Sequence, residues 1–102
     1  MSIGSTAVAS GTADADAVVA AKYNLRLRGF SIAETAGTAA TAEAPLMHGA
    51  TGASGSKVTA PINLAADGFG IWMFSEGIPC PNGISIDRVS GTTEFVIYWE
   101  YS

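Results

Sequence analysis

Residues 94–101, Glu94-Phe95-Val96-Ile97-Tyr98-Trp99-Glu100-Tyr101, carry the reading that decides the fold. Phe95, Ile97, Trp99 and Tyr101 alternate with Glu94, Val96, Tyr98 and Glu100, the period of two that a strand imposes by pointing successive side chains to opposite faces. The same period starts again at Lys22, where Tyr23, Leu25 and Leu27 alternate with Asn24, Arg26 and Arg28. At Gly29 the phase slips, and Phe30 and Ile32 carry the apolar face on, the pattern of a β-bulge. Val58, Ala60, Ile62 and Leu64 form a third alternation; Pro61, with no N–H for the ladder, predicts a sheet edge there. Ile84 and Ile86 mark a short strand, and Thr38–Met47 reads as a strand built largely of Ala and Thr. Turn residues separate these runs at Ala36-Gly37-Thr38, Asp67-Gly68, Pro81-Asn82-Gly83 and Ser90-Gly91. Six or seven short strands at intervals of roughly 10–14 residues predict an all-β domain, a small antiparallel β-sandwich of jelly-roll type.

Residues 1–21 differ in composition, being mostly Ala, Ser, Thr and Gly with two Asp and no aromatic. A helix over Thr12–Lys22 has an N-cap in Thr12, but Val18-Val19 favour strand and its apolar side is almost all Ala. The segment reads instead as an extended N-terminal arm (1–21) ordered by partner contacts, ahead of a sandwich domain at 22–102. The 102 residues suit one domain, and the 31 apolar side chains larger than Ala suffice for one small core. Nine acids against five Lys and Arg argue against a nucleic-acid partner, which needs a basic footprint. The single cysteine, Cys80, excludes an internal disulfide and a multi-cysteine zinc site. No apolar run approaches the roughly 20 residues that cross a bilayer, and Met1–Gly11 lacks the basic and apolar regions of a secretory signal. No membrane association is therefore expected.

Catalytic patterns fail one by one. The loop from His48 to Lys57 places Ser54 where a P-loop needs its second Gly, and a strand rather than a helix follows. His48 is the only histidine; no Ser lies in a G-x-S-x-G turn, and a lone loop His makes a poor metal site. Cys80, between Pro79 and Pro81, lies away from any basic cluster that would lower its pKa and reads as a packing residue. Asp14 and Asp16 belong to the arm and lack a pocket. The expectation is a protein with no catalytic, cofactor-binding or metal site.

Two features point to partners instead. Lys22, Arg26 and Arg28 are read on one strand face with Asn24, where they either pair with Glu94 or Glu100 or meet an acidic partner. In Phe69-Gly70-Ile71-Trp72-Met73-Phe74, Ile71 and Met73 point one way while Trp72 and Phe74 point the other. Both sides are apolar, yet a two-sheet sandwich covers only one of them. Val96 and Tyr98 make the outer side of the last strand half apolar as well. Ile71, Trp72, Met73, Phe74, Val96 and Tyr98 are thus the candidate interface.

Leu27–Thr41 is similar to a stretch of small proteins encoded by tailed bacteriophages, and so are Ile62–Gly68, Asn82–Asp87 and Val89–Thr92. The likeness spans about residues 20–101. It implies a small β-sandwich component of the virion that works without catalysis, most simply a decoration (cement) protein on the outer capsid surface. Its implied partners are the major capsid protein and copies of itself, commonly as a homotrimer. The alternative is a receptor- or carbohydrate-binding module of a tail or head fibre, with Trp72, Trp99 or Tyr98 stacking on sugar rings.

Overall fold

The alternating segments pair into antiparallel sheets that pack against each other as a small β-sandwich, with no helix among the described residues. The computed structural model describes residues 2–42, 47–48, 56–58, 62–88 and 90–101. In chain order the strands are β1 (Ser2–Gly11), β2 (Ala15–Val19), β3 (Leu25–Glu34), β4 (Ala40–Ala42), β5 (Met47–His48), β6 (Ser56–Lys57), β7 (Ile62–Leu64), β8 (Phe69–Pro79), β9 (Ile84–Ile86) and β10 (Thr93–Tyr101). One four-stranded sheet has the order β1-β10-β3-β8, a second has β2-β9-β5-β6, and β4 pairs with β7 in a separate ribbon. Of the run expected as a strand over Thr38–Met47, Ala40–Ala42 lies in β4 and Met47 in β5, and of the Val58–Leu64 run Ile62–Leu64 forms β7; residues 43–46 and 59–61 lie outside the described residues. The loop at 49–55 lies outside the described residues.

The inner face of the first sheet supplies most of the core. Leu25, Leu27, Phe30 and Ile32 of β3 and Phe95 and Ile97 of β10 are buried against Val19, Ile84 and Ile86 of the second sheet. Each such side chain contributes about 1.5–3 kcal/mol by leaving water. Cys80 is also fully buried in this cluster, and burial pushes its thiol above its ordinary pKa. The pairing skips Arg28, with Tyr98 opposite Gly29 and Trp99 opposite Leu27. That is the bulge the phase slip predicts, and it keeps Leu27 and Phe30 on one face. Gly29 is required by close approach, since a Cβ there would lie 2.5 Å from the Met73 sulfur and 2.5 Å from the Trp72 carbonyl oxygen.

The N-terminal residues correct the expectation of an arm. Ser2–Gly11 is an edge strand paired with β10 from Ser2 opposite Tyr101 to Gly11 opposite Thr93. Ala15–Val19 pairs with β9 in the other sheet. Both sheets therefore use residues from 1–21, and the boundary expected at 21/22 divides one folded unit. Backbone ladders order this segment, a source of order that composition does not display.

Arg88 fastens the crossover between β1 and β2. Its guanidinium donates to the carbonyls of Ala9 (2.9 Å), Ala13 (3.0 Å) and Thr93 (2.9 Å), while its backbone N–H donates to an Asp14 carboxylate oxygen at 2.9 Å. Charged hydrogen bonds contribute more than neutral ones, and their loss strands several carbonyls at once. Arg88→Ala should lower unfolding free energy by about 2–4 kcal/mol in urea titrations, and Arg88→Lys should recover only part of it.

Glu34, buried at the end of β3, plays the same part for two turns. Its carboxylate accepts from the backbone N–H groups of Asp67 (2.8 Å), Gly37 (2.9 Å) and Ala36. The Asp67 N–H is the largest influence lowering its pKa, and Ala36, Gly37 and Thr38 reinforce it against the opposing effect of burial. A depressed folded pKa means the carboxylate stabilises the fold above its unfolded value, about 4.3. That stability is lost as pH falls through the lower folded value. Thermal melts from pH 6 to pH 2 should show the wild-type midpoint falling below about pH 4, with the fall blunted in Glu34→Gln.

Candidate interaction surface

Register places the candidate interface residues on two different sides of the first sheet. Phe69, Ile71 and Met73 lie opposite Ala33, Ser31 and Gly29, which belong to the outer face. Val96 and Tyr98, opposite Ser31 and Gly29 from the other side, belong to the same outer face. Trp72 lies opposite Phe30 on the inner side and stacks on it with centroids 5.1 Å apart, and Phe74 approaches the same ring at 6.4 Å. The structure thus brings Ile71, Met73, Val96 and Tyr98 together and assigns Trp72 and Phe74 to the rim of the core.

The outer face has more apolar surface than the sequence indicated. Phe69 is 82% exposed, Ile71 63% and Met73 61%, and Ile3 on β1 is 73% exposed. Ser31 and Ala33 are short and leave a shallow groove of about 270 Å³ between Phe69 and Ile71 on one bank and Glu94 and Val96 on the other. A second depression of about 460 Å³ lies toward the far end, bordered by Ile3, Arg28, Met73 and Tyr98. Phe69 opens the Phe69–Phe74 run already singled out in the sequence, whereas Ile3 joins this face through the β1 register, which no sequence pattern displays. Large apolar side chains left to water on one face are a common feature of interaction surfaces.

The three cations do not share a face, contrary to expectation. Lys22 precedes β3 and holds its ammonium 4.0 Å from the centre of the Tyr101 ring, on the side of Leu25. Arg28 pairs with the buried carboxylate of Glu100 at 2.8 Å. It also donates to the Ser75 carbonyl at 3.0 Å, and Arg26 reaches the Glu76 carbonyl at 3.4 Å. These carbonyls belong to a bulge of β8, where Leu27 lies opposite Ile78 and Gly29 already opposite Met73. Gly77 makes the bulge possible with φ at +76°, a conformation glycine adopts without strain. The two arginines supply hydrogen bonds that the interrupted ladder cannot. Trp99 is similarly engaged, donating its indole N–H to the Thr6 hydroxyl at 3.0 Å.

Among the described residues no group of three or more His, Cys, Asp or Glu could hold a metal ion. Nor is any helix among them long and apolar enough to cross a membrane. No protein-family model, no curated protein and no solved structure matches the chain at a significant level.

Proposed function

We propose that the protein is a non-enzymatic structural component of a bacteriophage virion, a decoration protein that docks on the outer surface of the head through the outer face of its first sheet. The carrying observation is the exposed band of Phe69, Ile71 and Met73 beside Val96 and Tyr98. A sandwich that acted alone would gain nothing from an apolar outer face and would risk aggregation through it. The partners under this reading are the major capsid protein and further copies of the chain.

Connectivity supports the reading at the level of fold. From β1 to β3 and from β8 to β10 the chain alternates between the two four-stranded sheets. We read the orders β1-β10-β3-β8 and β2-β9-β5-β6 as a jelly roll, an architecture frequent in viral capsid domains. Fold alone does not give function, so the test is direct. Purified protein mixed with empty heads of the encoding phage should sediment with them in a saturable, lattice-limited copy number. Protein that stays in the supernatant at every ratio contradicts the proposal.

A further inference from the structure

We infer that Asn82-Gly83 is a self-modification site, a bond that cyclises with loss of ammonia once the chain opens and that the folded turn holds closed. The Gly83 amide nitrogen, on releasing its proton, attacks the Asn82 side-chain carbonyl. A nitrogen–carbon bond forms, ammonia leaves, and a five-membered succinimide results. Water then opens the ring at either carbonyl to give aspartate or isoaspartate, so water is the only co-reactant. Glycine in second place favours the step because no side chain hinders its nitrogen. Asn82-Gly83 is the one such pair in the sequence, since Asn24 and Asn63 are each followed by leucine.

The fold opposes each part of this movement. The nitrogen that must attack donates its N–H to the Cys80 carbonyl at 3.0 Å, the closing bond of a β-turn with Pro81 at its second position. Asn82 is exposed, but Gly83 is buried. Gly83 has φ at +97° and lies so close to β2 that an added Cβ would be 2.9 Å from the Val19 carbonyl oxygen. The turn is fixed on both sides as well. Cys80, fully buried, donates its N–H to the Leu25 carbonyl at 2.9 Å, and buried Ile84 pairs with Val19. Cyclisation therefore requires Gly83 to leave its place, an opening shared with Cys80 and the start of β9. The change is one-way. Isoaspartate carries the main chain through the side-chain carbon and lengthens the turn by one atom, so the Gly83-to-Cys80 bond no longer closes the same turn. The site thus records opening at this end of the core as a covalent change, and it does not rest on the docking proposal.

Mass spectrometry with peptide mapping tests this on the full chain, held folded in mildly alkaline buffer or unfolded in guanidinium chloride at the same pH and temperature. The unfolded chain should gain the mass of an amide-to-acid conversion at Asn82, and the folded chain should do so at least about tenfold more slowly. Asn82→Gln should abolish the gain. Asp67-Gly68 closes the same ring with loss of water and returns to its original mass, so the gain is specific to asparagine. In low denaturant, labelling of the Cys80 thiol should rise together with conversion at Asn82, because one opening exposes both. The inference is overturned by equal rates in the folded and unfolded chain, or by an unfolded chain that converts at Asn24 or Asn63 or not at all. Cys80 labelling that rises while Asn82 stays unconverted would overturn it too.

Discussion

Deleting residues 2–11 is expected to unfold the protein, with the cooperative thermal transition lost from far-UV circular dichroism. Eight residue pairs join β1 to β10, and at about 0.2–1 kcal/mol for each cross-strand pair the ladder contributes on the order of 5 kcal/mol. Further losses accompany it. Trp99 loses the Thr6 hydroxyl, and the Arg88 guanidinium loses the Ala9 carbonyl. Total stabilities of about 5–15 kcal/mol leave a domain of this size little reserve against such a change. An arm ordered only by a partner would behave oppositely, since its removal would abolish docking and leave the melt untouched. A truncated chain that melts like wild type would therefore restore the arm and contradict the paired register.

Phe30→Ala should be the most damaging single substitution, at about 3–5 kcal/mol. The ring is fully buried at the centre of the core, with Trp72 stacked on one side and Phe74 tilted against it. Truncation would leave a cavity that two β8 side chains cannot fill without moving the edge strand, so the loss should exceed simple transfer. In a domain of about 100 residues this lowers the melting midpoint by more than about 12 °C. Phe69→Ala is the matched control: the residue is 82% exposed, and its truncation should change stability by less than about 0.5 kcal/mol. Equal effects at the two positions would mean that the faces of the first sheet have been exchanged.

What the sequence made legible follows from the physics of each segment. The inward faces of β3 and β10 are readable because their large side chains alternate, and the slip at Gly29 is readable because a bulge must restore the phase. The division of Ile71 and Met73 from Trp72 and Phe74 follows from the same period. β1 and β2 are illegible for the converse reason. Their Ala, Ser, Thr and Gly side chains bury little, and what orders them is backbone pairing with residues 65 to 99 positions away in sequence. Glu34 and Arg88 escaped notice because each acts on backbone groups of other segments, and no spacing rule announces such contacts. The β8 bulge, and with it the engagement of Arg26 and Arg28, depends on how two strands of unequal length are matched. Which face of the sheet stays open is likewise a property of pairing order.

The docking face is tested most directly by co-sedimentation with empty heads, comparing wild type with the Val96→Lys, Tyr98→Lys pair. Both side chains lie half-buried on the outer face of a central strand, where lysine stems can lie along the sheet while their charges reach water. Wild type should saturate the heads, and the pair should bind at least about tenfold more weakly with its melt preserved. Equal binding by the two, or binding by neither, would contradict the assignment of this face to the head.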